Sequence, residues 1–263
     1  LEANNTVVEV IENEEDFTTD RLVAMDILHQ PERVIIEYNG MWLVSNFEKM
    51  QLPTGWGVEQ QITCVDGSTF QMYMANMKSI FMDMIKNTDM VIFNRCKKED
   101  PLPTYRRGIK VANQRAEVIF EDEEGELGDI FQDEMPFDMN APVIEILPED
   151  YGIWFVDAMD HPENYEGKTV KFKARVMKPR GMGSKFFVPG RTAMTCCADD
   201  TTFLGYVCKS AYAPKLTPGE WVEVTAKVGI EKRNEYQGEE GIVLDAEHVE
   251  QCDPLEDEMV YFN

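Results

Sequence analysis

Three cysteines and two aspartates fall within thirteen positions, in Cys196-Cys197-Ala198-Asp199-Asp200 and Cys208. Thiolates prefer soft or borderline metals such as Zn²⁺, and a carboxylate can complete a tetrahedral shell. Cys196, Cys197, Cys208 and Asp199 are therefore the candidate metal ligands. Consecutive residues on a regular strand point to opposite faces. The adjacent thiols can share one ion only where the strand ends or bulges; otherwise one is a core cysteine and the other lies at a turn.

A second group of candidates lies in the first half. Val34-Ile35-Ile36-Glu37-Tyr38-Asn39-Gly40 reads as an apolar strand ending in a carboxylate and a turn, and Met90 to Phe93 reads as another, ending in Asn94-Arg95. Open parallel α/β sheets present ligand-contacting groups at such strand ends. Glu37 there would order Mg²⁺ through water, and Gly40 would let the backbone N–H approach a phosphate without a Cβ clash. The plainer alternative is a surface Glu beside a turn Gly.

The elements that would position these groups are legible as periodicities. Val7 to Ile11 reads as a strand and Thr18 to Leu28 as a helix capped by Thr18 or Thr19. Strands at Val34 to Ile36 and Gln61 to Val65 follow, and the latter closes on Asp66-Gly67. Thr69 to Lys86 has helical spacing, with Phe70, Tyr73, Met74, Met77, Phe81, Met84 and Ile85 on one face. Strand Met90 to Phe93, a helix near Tyr105 to Asn113 and strand Glu117 to Phe120 complete a βα alternation. Such alternation predicts a partial doubly wound, mainly parallel sheet over residues 1 to 122.

Residues 123 to 148 are acidic and Pro-spotted and read as a solvated linker. From 149 to 263 the pattern changes to one helix, Gly152 to Met159, and five strands: Thr169 to Met177, Lys185 to Thr195, Leu204 to Lys209, Trp221 to Ile230 and Gly241 to Val249. Five short strands with Gly/Pro turns predict a small all-β barrel of the oligonucleotide/oligosaccharide-binding type. The fold class is thus α/β followed by a small barrel.

The chain of 263 residues carries a net charge of −24. Residues 1 to 150 hold 12 Lys/Arg against 30 Asp/Glu, and residues 151 to 263 hold 13 against 19. Such an excess of acid repels phosphate backbones and anionic headgroups unless a local basic patch is built. No interleaved basic-aromatic face is evident along the sequence, so nucleic acid is not an expected partner. No apolar run approaches the ~20 residues of a membrane span, and Leu1-Glu2-Ala3-Asn4-Asn5 is not a signal peptide. A cytoplasmic chain with reduced thiols and no direct membrane insertion is the expectation. The start on Leu1 rather than Met points to sequence upstream.

Residues 7 to 120 resemble the later part of CobW-type P-loop GTPases. The matching pieces are Val34 to Gly40, Ile62-Thr63-Cys64-Val65-Asp66, Asn87 to Arg95, and Ile109 to Ala116. The resemblance implies GTP hydrolysis coupled to metal delivery. It places Glu37 near Mg²⁺, with Asp66, Asn94 and Arg95 on the nucleotide. Two departures stand out. No G-x-x-x-x-G-K-[ST] loop occurs in the 263 residues, and Lys97 stands where the guanine-reading Asp belongs. A cation cannot accept hydrogen bonds from guanine.

Residues 160 to 250 resemble a second family, YcgQ-like proteins paired with predicted permeases, through Pro162 to Lys168, Met194-Thr195-Cys196-Cys197-Ala198-Asp199 and Leu216 to Thr225. The two resemblances together imply a nucleotide-dependent metal-homeostasis protein. Its barrel would bind metal or a partner, either a permease or a metal-receiving protein. A non-enzymatic binding module built on a degenerate GTPase scaffold is the alternative.

Overall fold

The computed structural model describes residues 6–128, 135–195 and 201–260, which divide into two compact units. The first comprises residues 1–97 and 115–126, the second 98–114 and 127–263. The boundary differs from the one read along the sequence in two respects. The helix between the second and third sheet strands belongs with the barrel, and so does the latter part of the acidic segment, where Phe137, Ile144 and Ile146 are buried. Charge alone suggested a wet linker there, but those three apolar side chains anchor the segment.

In the first unit, helix α1 (Thr19–His29) is capped by Thr18, whose hydroxyl accepts from the Arg21 N–H at 3.3 Å. The helix ends on Gln30 in the left-handed region, φ 45°. After a short helix α2 (Val44–Glu48) come β1 (Ile62–Asp66), α3 (Phe70–Ile85), β2 (Met90–Asn94) and β3 (Glu117–Phe120). The three strands form one parallel sheet in the order β1-β2-β3. Helix α3 is kinked at Met77 (φ −135°, ψ 29°) and buries Phe70, Phe81, Met82 and Ile85. Phe70 meets Phe93 edge-on at 4.9 Å, and Phe93 stacks on Phe120 at 4.8 Å. These aromatic contacts tie the helix to the middle and last strands.

Two predicted strands are not strands. Val7 to Ile11 and Val34 to Ile36 are irregular, with Val8 and Ile35 each 74% exposed. A β-branched run becomes a strand only where a neighbour completes its ladder, and among the described residues no strand pairs with β1 on its other edge.

In the second unit, helix α4 (Leu102–Ala112) and helix α5 (Tyr151–Asp160) accompany strands β4 (Ile144–Glu145), β5 (Thr169–Met177), β6 (Phe186–Met194), β7 (Thr201–Gly205), β8 (Val207–Lys209), β9 (Trp221–Lys232), β10 (Glu240–Gln251) and β11 (Met259–Val260). β5 pairs antiparallel with β6 and with β9, β6 antiparallel with β7 and β8, β8 parallel with β10, and β10 antiparallel with β9. With β7 and β8 counted as one broken strand, the ring closes in the order β5-β6-β7/β8-β10-β9-β5. That connectivity is a five-stranded Greek-key barrel of the predicted type.

Strict alternation along β5 sends Val170, Phe172, Ala174 and Val176 inward. Helix α5 adds large aromatics to this core: Trp154 packs on Phe172 at 4.8 Å and Phe155 stacks on Tyr206 at 4.8 Å. The two tyrosine hydroxyls of this cluster are satisfied locally, whereas the buried Trp154 Nε1 has no hydrogen-bond partner among the described residues. The Tyr151 hydroxyl donates to the Leu204 carbonyl at 3.0 Å, and that of Tyr206 to the Phe155 carbonyl. Arg191, 2% exposed, donates to the carbonyls of Pro148, Asp257 and Met259 and so pins the C-terminal segment to the barrel. Burial holds its guanidinium below the usual arginine range without discharging it.

Candidate functional site

Asp66 and Asn94 are opposite one another at the C-terminal ends of β1 and β2. Arg95, next in sequence, adopts φ 55°, a conformation a non-glycine residue enters at a cost. Its guanidinium donates to Asp66 Oδ2 at 2.6 Å. Asp66 Oδ1 accepts from the Ser68 hydroxyl at 2.6 Å and the Ser68 N–H at 3.0 Å. The hydrogen bond from the Ser68 hydroxyl, together with the hydrogen bond and charge of Arg95, draws the Asp66 carboxyl below its usual range.

Below the ion pair the backbone is close-packed. The Gly67 N–H donates to the Asn94 carbonyl at 2.8 Å. A Cβ on Gly67 would lie 2.7 Å from Cys96 Sγ and 3.0 Å from that same carbonyl, so glycine is required for the approach. Asn94 Oδ1 is buried and has no hydrogen-bond partner in the structure, an arrangement that ordinarily costs about 1–3 kcal/mol.

Three of the five nucleotide-site candidates, Asp66, Asn94 and Arg95, therefore converge on one sheet end. The other two do not join them. Glu37 is exposed on an irregular segment rather than at a strand end, because Val34 to Ile36 has no ladder to enter. Gly40 lies at a turn where its carbonyl accepts from the Tyr73 hydroxyl at 3.3 Å. The same segment is fastened by ring contacts of Tyr38 with Phe17, Trp42 and Phe47 at 5.6–5.9 Å.

Of the metal candidates, Cys196, Cys197 and Asp199 lie outside the described residues. Cys208 is fully buried in the barrel core. Burial, reinforced by Asp245, pushes its thiol well above the usual range. A thiol that resists ionisation inside an apolar core is poorly placed to hold an ion. Among the described residues no group of three or more His, Cys, Asp or Glu side chains is arranged to hold a metal.

A small parallel sheet with a polar strand end, joined to a closed five-stranded barrel, defines the class. The chain belongs to the family described as the DUF1980 C-terminal domain, whose model matches residues 126–262. Among curated proteins nothing matches. Solved structures that resemble it include the mitochondrial single-stranded DNA-binding protein Rim1 of S. cerevisiae (10% identity, 34% of this chain, 97% of that one, TM-score 0.21). The aspartyl-tRNA synthetase of Entamoeba histolytica (14%, 45% and 27%, 0.25) and a small single-stranded DNA-binding protein from Streptomyces coelicolor (14%, 33% and 95%, 0.20) are others. At such scores the likeness carries no functional argument. Among the described residues no helix is long and apolar enough to cross a membrane.

Proposed function

We propose that this chain is part of a CobW-like nucleotide-dependent metal-homeostasis protein, working with a permease or a metal-receiving protein. In this reading the sheet unit supplies the base-side wall of a nucleotide site, and the barrel is the metal- or partner-binding module. The supporting observation is the register of Asp66 with Asn94 on adjacent parallel strands, with the Asn94 amide oxygen buried and unpartnered. An acceptor in that state suits an amide or amino donor, such as a purine edge offers.

The residues present fit the base side of a nucleotide only. Asp66 is committed to Arg95 and Ser68, which leaves it a poor Mg²⁺ ligand. Arg95 turns toward that carboxylate, and Lys97 cannot accept from guanine. No hydrolytic step is assigned to these residues. The metal side of the reading rests on the thiol and carboxylate chemistry of Cys196, Cys197 and Asp199. A second reading, a non-enzymatic binding module, is favoured by the same Asp66–Arg95 ion pair, since it occupies the polar end of the sheet.

The test is an NMR titration of the full chain with GTP, ATP and guanosine, with and without Mg²⁺. The expected result is weak binding that perturbs Asn94 and Gly67, is indifferent to Mg²⁺, and disappears in Asn94→Ala. An absence of perturbation at the ends of β1 and β2 with all three ligands would leave the non-enzymatic module as the function of this chain.

A further inference from the structure

The outer wall of the barrel gathers aromatic and basic side chains that lie far apart in sequence. Phe187 and Cys208 are fully buried and face the core, so Phe186 and Lys209, their neighbours on strands paired as Phe186↔Lys209, face outward. The Arg233 guanidinium lies over the Phe186 ring, 4.3 Å from its centroid. Farther along the same wall Gly190 opposes Gly205. The Phe203 ring fills the space over Gly190, within 2.4 Å of where a Cβ would stand. The Tyr236 ring does the same over Gly241 at 2.6 Å, while its hydroxyl accepts from the Val207 N–H at 3.2 Å. All three rings are only part-buried.

Charge on this wall is mixed, where the molecule as a whole is acidic. Residues 174–218 hold seven Lys/Arg and two acids, and residues 231–245 hold two Lys/Arg and five acids, in a chain of net −24. Some of these cations serve the fold: Lys178 donates to the Ala213 and Leu216 carbonyls, Arg175 to that of Gly219, and Arg191 is buried. Arg180, Lys185 and Lys209 are exposed and make no ion pair among the described residues. Carboxylates are present too. Glu231 and Glu235 lie 3.6 and 3.0 Å from Arg233, and Asp245 is in register with Lys209.

We propose that this wall binds a short single-stranded oligonucleotide, independently of the nucleotide reading of the sheet unit. Bases would lie on the Phe186–Arg233 stack, Phe203 and Tyr236, with phosphates held by Arg180, Lys185 and Lys209. Rings on a glycine floor with cations between them are the combination that single strands use, since every base has a face to stack and a backbone charge to place. The repulsion of nucleic acid inferred from net charge is reduced on the side of the wall formed by residues 174–218, over a few phosphates rather than along a duplex.

The experiment is fluorescence anisotropy of a labelled oligothymidylate of about ten nucleotides with the full chain, across a salt series. Binding at low salt should weaken with a log–log slope of about −2, as about three phosphate contacts to a single strand require. The double variant Lys185→Glu/Lys209→Glu, at exposed positions, should lose affinity about tenfold or more. Phe203→Ala should lose about five- to a hundredfold, the range of one stacked base, with circular dichroism checking that it folds. No binding at low salt, or binding unchanged in the double charge variant, overturns the proposal. So does displacement by polyglutamate as effective as that by unlabelled oligonucleotide, which would mark an acidic-peptide surface.

Discussion

The Arg95 guanidinium reaches across the ends of two parallel strands to Asp66 at 2.6 Å, from a backbone in the left-handed region. The carboxyl is held below its usual range by Ser68 and Arg95 together. A folded-state pKa below the unfolded one contributes stability above the ordinary aspartate value of about 3.9. That contribution is lost as pH falls through the lowered folded value. A carboxyl-detected NMR titration should find Asp66 titrating below about 3.9. Ser68→Ala and Arg95→Ala should each raise its midpoint in part, and the double variant should raise it further. The pair is partly exposed, so Arg95→Ala should change stability by less than about 1 kcal/mol.

Gly190 and Gly205 mark where β6 and β7 approach too closely for side chains. A Cβ on Gly190 would fall 2.3 Å from the Leu204 carbonyl oxygen, and one on Gly205 would fall 2.7 Å from that of Pro189. Both obstacles are backbone, so neither can swing aside. Gly190→Ala should lower stability by about 1–3 kcal/mol, read as a fall in the urea midpoint. A neutral result would mean that the two strands are farther apart than described.

Much of the barrel is legible in the sequence because alternation was uninterrupted: β5 occupies Thr169–Met177, the predicted bounds. The predicted Leu204 to Lys209 strand is instead split into β7 and β8. The parallel sheet was readable for the same reason, through β1, α3, β2 and β3. Val34 to Ile36 failed because local apolar character cannot reveal whether a neighbouring strand exists to pair with. Asp66 and Asn94 could be placed together from their strand-end positions, whereas Cys208 could not be told from a ligand until its face was known. The wall formed by Phe186, Phe203, Lys209, Arg233 and Tyr236 was invisible because its members come from separate elements and meet only on closure of the barrel.

The thiols should separate by burial. Cys64 is exposed, whereas Cys96 and Cys208 are buried. Partial burial raises Cys252 above the usual thiol range. Brief alkylation at pH 8 followed by peptide mapping should therefore, among the four cysteines of the described residues, label Cys64 first and leave Cys208 unlabelled until denaturant is added. Cys208→Ala should leave the zinc content of the reduced chain unchanged. If zinc were lost in that variant while the fold was retained, Cys208 would have to be a ligand after all.

Asp160, at the end of α5, receives two cations from α4: Arg106 at 3.0 Å and Lys110 at 3.4 Å. Its side chain is 6% exposed, and theirs are 22% and 12% exposed. Removing the carboxylate takes an ion-pair partner from two poorly hydrated cations, a loss that in buried pairs amounts to about 3–5 kcal/mol. Asp160→Ala should approach the lower end, because Arg106 retains some access to water. Asp160→Asn keeps the shape and a carbonyl acceptor and should cost less. Hydrogen exchange distinguishes a local effect from a global one. If this pair is what fastens α4 to the barrel unit, amides of 102–112 should lose protection in Asp160→Ala well before those of β5 and β9. Uniform loss across the second unit would show instead that α4 and the barrel unfold as a single cooperative body.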